Sequence, residues 1–382
     1  MTDRDGAGDL TREQRAMRDV VREVTEDHIE PVASAADEAA SFPEDAWDEL
    51  AAVDITALTV PEDFGGLAVD RLTYAVVNEE LAYGSLAVAT ALSVHCLATS
   101  CIAEFGDDHH KERWLPEMAA GRPVGAFALS EPGAGSNPAE MTTTARRNGD
   151  EYVLNGTKQW ITNGQRSGVA IVFAKTDAED PDSVTQFLVP TDLDGVAPGD
   201  PEDKLGLRAS DTTTLDLDDV HIPASNRLTA EGEGLSAALH ILTGGRIGIA
   251  AQSVGLAQAA LDDAVDYAQE REQFDRPIGE IQTVRHKLAE MRTQIAAARS
   301  LTRAAAHRAD RGESVRTDAS MAKLFASEAA MDVTNQAVQI HGGYGYTTDF
   351  DVERYYRDAK VTTIYEGTSE IQKEVIARDT VD

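Results

Sequence analysis

Four short segments of this 382-residue chain combine residue types that could do chemistry. Tyr365-Glu366-Gly367-Thr368-Ser369-Glu370 sets a carboxylate between an aromatic and a glycine, ahead of a helix that Thr368 or Ser369 would cap. Such a carboxylate is a candidate general base if something removes it from water, since most glutamates are solvated. Ser130-Glu131-Pro132-Gly133-Ala134-Gly135-Ser136 follows an apolar run. Its small residues let backbone amides approach a ligand, although composition describes a plain loop equally well. Trp160-Ile161-Thr162 ends a β-rich run before Asn163-Gly164, where a tryptophan is usually core or cover. Arg271-Glu272-Gln273-Phe274 closes a long helical pattern, where an arginine also complements the helix dipole.

Nucleotide-binding and metallohydrolase motifs are missing. There is no Walker loop, no strand–GxGxxG–helix unit, no HExxH and no GxSxG. Gly342-Gly343-Tyr344-Gly345 follows a helical pattern and reads as a C-cap and turn. His109-His110 is expected in an acidic surface loop with no third ligand, and Cys96 and Cys101 lack zinc spacing, so no metal is expected.

The elements that must position these residues fall into three zones, read as an α+β multidomain chain: an N-terminal α-helical domain (1–122), a middle antiparallel β-domain (123–234) and a C-terminal four-helix bundle (235–382). Thr11 and Gln14 have capping-box spacing for a helix reaching the Pro31 region. Apolar helical segments follow near Ala46–Ala52, Leu72–Tyr83, Val88–Glu104 and Lys111–Ala119. Strand-like runs then occupy Val124–Leu129, Tyr152–Leu154, Gln159–Thr162, Val169–Ala174, Thr185–Val189 and Thr212–Leu217. Asn148-Gly149, Asn155-Gly156 and Asn163-Gly164 are turn signals, and the lack of intervening helices predicts antiparallel pairing. Beyond Gly234, stripes at spacings of three and four predict long helices, such as Val284, Leu288, Met291, Ile295 and Ala298.

Sixty-seven acids against 34 bases give a net charge of −33. That field repels phosphate backbones and argues against nucleic-acid binding. With lysine scarce and acids spread along the chain, the balance predicts a salt-adapted, halophilic protein. Met1 to Leu10 are acidic and polar, which predicts no signal or transit peptide. No run of about 18 apolar residues is expected to span a membrane. The expectation is a soluble, cytoplasmic chain.

In this order, over essentially the whole length, the segments resemble the acyl-CoA dehydrogenase family, closest to its short-chain, butyryl-CoA type. Gly245-Arg246-Ile247-Gly248-Ile249-Ala250 and the stretch from Tyr356-Arg357-Asp358-Ala359 to Glu370 are especially family-like. The resemblance implies FAD between the β-domain and the C-terminal bundle, in a homotetramer whose second subunit closes the site. By resemblance, Phe127, Leu129, Ser130, Gly135 and Ser136 form the flavin-binding strand and loop. Trp160, Ile161 and Thr162 lie beside the isoalloxazine, with Thr162 bonding flavin N5. Arg271, Gln273, Phe274, Ile281 and Gln282 reach the pyrophosphate and adenosine across a subunit contact; Gln339, Ile340, Gly342, Gly343, Thr368, Ser369 and Glu370 supply the rest of the FAD site.

The resemblance makes Glu366 the base that removes the α-proton of an acyl-CoA, while the β-hydride leaves for the flavin. Ser136, Arg246, Tyr365 and Gly367 match substrate-contact positions. The implied reaction forms the trans-2-enoyl-CoA of fatty acid β-oxidation and passes electrons to an electron-transfer flavoprotein. Some relatives carry the base on the helix that here contains Gly245, which has no side chain. Asn137 departs from the Asp found in many relatives, and His341 interrupts the Gln-Ile-Gly-Gly form. Two alternatives stay open: an acyl-CoA oxidase using oxygen, and a non-catalytic flavin-fold binding protein. Relatives that act on glutaryl-CoA are expected to carry an arginine in the helix lining the acyl pocket. The matching stretch Leu86–Cys101 has neither arginine nor lysine, and His95 is its candidate partial substitute.

Overall fold

A computed structural model describes residues 10–381; the expectation drawn from the acidic opening residues 1–9 lies outside them. Six helices come first: α1 (Arg12–Val24), α2 (Glu30–Glu38), α3 (Glu44–Ala52), α4 (Arg71–Gly84), α5 (Leu86–Phe105) and α6 (Asp108–Ala119). The Thr11–Gln14 capping box forms, with both reciprocal bonds. The helix it opens continues through a π-helical turn at Thr25–Ile29 into α2, where Pro31 occupies the first turn and needs no N–H donor. His109 and His110 do not lie in a loop. They belong to the first turn of α6, where Asp107 accepts from the His110 backbone and forms a capping box with its ring.

α5 is long and apolar enough by length and composition to cross a membrane, which corrects the expectation that no such run exists. Most of that stretch, 83%, is buried inside the fold, and α5 serves as a core helix packed on α4, on the long helix α7 (Gly234–Glu270) and on strand β1 (Val124–Ala128).

The other main strands are β2 (Thr144–Asn148), β3 (Glu151–Ile161), β4 (Ser167–Lys175), β5 (Val184–Pro190), β6 (Val196–Pro198) and β7 (Thr213–Pro223). The sheet runs β1-β4-β2-β3-β7-β6, with β5 on β4. Four ladders are antiparallel, but β4 pairs in parallel with β1, and with β2 at Thr144–Lys175, because the chain crosses the whole β2–β3 hairpin before returning to β1. Asn155-Gly156 is not a turn: it sits inside β3 at a register shift. Gly156 has φ +150, and a Cβ there would press on Thr143.

After α7 come a two-strand hairpin, β8 (Glu272–Gln273) and β9 (Arg276–Pro277), and helices α8 (Gln282–Asp310), α9 (Arg316–His341), α10 (Val352–Thr362) and α11 (Ser369–Val381). One apolar core joins α4 and α5 to α7, α8 and α9, while a second seals the β-domain against α5 and α6. The site segments therefore sit on a scaffold in which α7 touches all three zones.

Candidate active site

Glu366 lies in the tight connection between α10 and α11. Its φ of +51, followed by +93 at Gly367, makes a left-handed pair that only the second residue adopts freely. Two donors hold the pair through three hydrogen bonds. Gln372 Nε2 donates to the carbonyls of Glu366 (3.2 Å) and Gly367 (2.8 Å), and Lys323 Nζ donates to Gly367 O (2.8 Å). Tyr365 OH donates to Gln252 Oε1 on α7 at 3.3 Å. Strain of this kind marks other candidate segments as well, since Trp160 (φ +61) and Phe274 (φ +54) are also left-handed non-glycines.

The turn folds the carboxylate back onto α7. A Cβ at position 245 would collide with Glu366 Oε2 and stand 3.0 Å from its Cδ. Oε2 is out of water and accepts no hydrogen bond, as Nε of the buried Arg246 likewise finds no acceptor. Burial raises the Glu366 carboxyl to about 7 against the opposing pull of Arg246 and Lys323. Burial lowers Lys323 to about 8, with Glu366 holding it up, and lowers Arg246 in the same way. A carboxyl poised near neutrality, with no hydrogen bond committing Oε2, is equipped to take a proton.

Arg246 also lines a cavity of about 470 Å³ with Ser136, Asn137, Leu239, His240, Thr243, Arg316 and Arg378. Glu374 lines it too and pairs with Arg378 at 2.8 Å, yet in a chain of net charge −33 three arginines against one carboxylate at one opening favour an anionic ligand.

A second group forms at the end of β1. Phe127 and Leu129 are half-buried against the second core, and Gln159 N donates to Ser130 O (2.9 Å), placing the Ser130–Ser136 loop beside Trp160. A buried ion pair anchors that loop: Lys158 Nζ lies 2.7 Å from Glu131 Oε1, and Glu131 also accepts from Thr142 and from the Thr143 backbone. Burial pushes Glu131 up, but Lys158 and those donors outweigh it and hold the carboxyl low. Trp160 stays 59% exposed, Ile161 is buried and Thr162 half-buried, while a Cβ at Gly133 or Gly135 would meet open space.

The third group stands apart. Arg271, Gln273 and Phe274 form the hairpin after α7, Ile281 and Gln282 open α8, and Phe274 is 86% exposed. Arg271 reaches the ring of Tyr344 at 5.9 Å, so the hairpin neighbours Gln339, Ile340, Gly342 and Gly343 at the end of α9. The 25 residues of α7 between Arg246 and Arg271 span roughly 37 Å, so one chain does not bring this group to Glu366. Thr368 Oγ1 accepts from Ile371 N at 3.4 Å, Ser369 begins α11 and Glu370 is exposed.

Sequence reasoning passed over Lys323, Lys158 and Gln372, each buried and each bonded to a site segment. The idea that His95 could meet a distal charge is corrected. Its Nδ1 accepts from Gly125 N–H (3.0 Å), so its Nε2–H donates to Met118 O (3.1 Å), and burial lowers its pKa to about 4. His95 is neutral and fully engaged.

Profiles of the acyl-CoA dehydrogenase N-terminal, middle and C-terminal domains match residues 11–122, 126–220 and 232–380. The chain is 42% identical to the mitochondrial short-chain specific acyl-CoA dehydrogenase of Rattus norvegicus, covering 97% of this chain and 90% of that protein. It is also 42% identical to acryloyl-CoA reductase (NADH) of Anaerotignum propionicum, covering 97% and 95%. Butyryl-CoA dehydrogenase of Megasphaera elsdenii superposes with a TM-score of 0.95 at 40% identity, covering 98% and 99%. A chain solved in work on the electron transferring flavoprotein of Acidaminococcus fermentans gives a TM-score of 0.96 at 39% identity, covering 98% and 99%. Glutaryl-CoA dehydrogenase of Mycobacterium smegmatis gives 0.93 at 35%, covering 97% and 95%.

Proposed function

The chain belongs to the acyl-CoA dehydrogenase family, and from that premise we propose that it oxidises short- to medium-chain monocarboxylic acyl-CoA thioesters to trans-2-enoyl-CoA, with Glu366 as base. The observation that carries this reading is the Glu366 carboxyl itself: held near neutrality, free of hydrogen bonds at Oε2 and pressed onto Gly245. An ordinary carboxylate is far too weak for an unactivated thioester α-proton. The Glu366 backbone N–H, fixed by the turn, is suited to bond the thioester oxygen and make that proton more acidic. Substrate arriving over Glu366 excludes the remaining water and strengthens the base further. Arg246, Arg316 and Arg378 offer the phosphates of CoA a cationic mouth.

The residues present fit FAD. The exposed, left-handed Trp160 beside open glycines offers a flat ring a wall and a floor, and Thr162 and Ser136 would hold it there. Bound FAD would supply the acceptor for the β-hydride. Arg271, Gln273 and Phe274, too far along α7 to serve their own Glu366, would reach the cofactor of a neighbouring subunit in a homotetramer. Electrons would pass to an electron-transfer flavoprotein, in keeping with the kinship to the Acidaminococcus chain. Turnover of an acyl-CoA panel with a dye acceptor tests this; oxygen uptake without an added acceptor would mark an oxidase instead.

Glutaryl-CoA should be a poor substrate. Leu86–Cys101 offers no cation, and the one titratable base on it, His95, is neutral and already bonded at both nitrogens. An unpaired carboxylate buried there would cost about 3–5 kcal/mol. Efficient turnover with decarboxylation would refute the monocarboxylic preference.

Salt adaptation is also part of the proposal. Thermal midpoints should climb between about 0.1 M and 1 M KCl, as the Debye length falls from roughly 10 to 3 Å and the −33 charge is screened. A flat midpoint over that range would show that the acids are only a solvated coat.

A further inference from the structure

We propose that Lys323 is a positioning residue for the Glu366 base: its ammonium group pins the Gly367 carbonyl that fixes the turn, and its charge favours the ionised carboxylate against the burial that opposes it before substrate binds. The inference rests on the reading of Glu366 as base.

Lys323 projects from the alanine-rich α9 and has no exposure to solvent. Its Nζ bonds Gly367 O at 2.8 Å, one residue past the base. If the task were only to satisfy that carbonyl, a neutral donor would suffice, and Gln372 Nε2 already bonds the same oxygen at 2.8 Å. Burying an ammonium instead is costly unless a negative charge answers it. Glu366 is the first-ranked charge pulling Lys323 up, with Glu370 of α11 a lesser one and Arg246 opposing. Two charges act on Glu366, Arg246 from α7 and Lys323 from α9, with Arg316 acting in turn on Arg246. Tyr74 from α4 and Tyr365 from the turn itself face the carboxylate as neutral phenols, which its charge pushes up further. Arg246 lines the open cavity and stands where substrate enters. Lys323 is fully buried and does not line that cavity, so a ligand in the mouth leaves its charge in place.

The test is a titration of the holoenzyme followed by infrared spectroscopy. The band of the protonated Glu366 carboxyl is assigned by its loss in Glu366→Gln. In Lys323→Gln, which keeps a donor for Gly367 O but no charge, the midpoint should rise by about one to three pH units. The rising limb of single-turnover flavin reduction with butyryl-CoA should move with it, slowing the reaction about tenfold or more at pH 7 and recovering at higher pH. Lys323→Arg should hold the midpoint near that of the unsubstituted enzyme. A rate lowered equally at all pH values, with the midpoint unmoved, would overturn the proposal and leave Lys323 a structural residue. Should neither variant fold, the unsubstituted holoenzyme decides: a Glu366 carboxyl ionised at pH 8.5 supports the proposal, and one still protonated there overturns it. Failure of the base assignment is a separate result, seen as an unsubstituted enzyme whose flavin no acyl-CoA reduces.

Discussion

Glu366→Gln is expected to yield a folded protein that retains its flavin and almost never reduces it. Glutamine is nearly isosteric, so the left-handed turn, the Gln372 and Lys323 bonds to its carbonyls and the packing on Gly245 should persist. It cannot accept a proton at neutral pH. General-base catalysis is typically worth about 10² to 10⁴ in rate, and Gly245 of α7, against which the carboxylate packs, has no side chain to replace it. The loss should appear in single-turnover flavin reduction while acyl-CoA binding stays close to normal. In the unsubstituted enzyme the same rate should increase with pH through about 7, because the base works only when ionised and burial has raised it to that region. Reduction within about tenfold of the unsubstituted rate, roughly 1.4 kcal/mol of barrier, would make Glu366 structural.

Lys158→Met should be the most damaging change outside that turn. It would strand the Glu131 carboxylate, which is buried and faces the loop beside Trp160. Removing one partner of a buried pair costs about 3–5 kcal/mol, a large part of a typical domain's stability. Denaturant unfolding should show that loss, together with weaker flavin retention, since Ser130–Ser136 hangs from Glu131. Adding Glu131→Gln to the same protein should recover much of the stability, because a neutral amide leaves no uncompensated charge. A single variant as stable as the unsubstituted protein would mean that the pair is replaceable by its surrounding hydrogen bonds.

Which parts of this were legible in the sequence follows from the range of the interactions. The turn around Glu366 also needs Lys323 from 44 residues away and its left-handed form was not foreseen, whereas the Thr11–Gln14 box is made by residues three apart, so its spacing is visible in the chain. The helical zones showed for the same reason: apolar stripes are local signals. Asn155-Gly156 was misleading because a turn-type dipeptide also fits a strand bulge, and which one forms depends on Thr143 across the sheet. The parallel β1–β4 pair hinges on a chain crossing that no local pattern records. Lys158 and Glu131 are 27 residues apart, and Lys323 meets Gly367 across 44. In sequence each is a lone lysine on an ordinary strand or helix, and only the fold shows that both are dry. Glu366 itself was read through kinship as much as through physics, because nothing local announces that a carboxyl will lose its water.

The close packing of Glu366 on Gly245 bears on how such a protein changes over generations. At this contact residues 245 and 366 are not free to change independently. A Cβ at 245 would press on Glu366 Oε2, the far end of a flexible side chain, so the carboxylate would have to turn away from its present place. The glycine thus ties two distant stretches of the chain together, and a larger residue at 245 is expected to be accepted only where the turn has shifted.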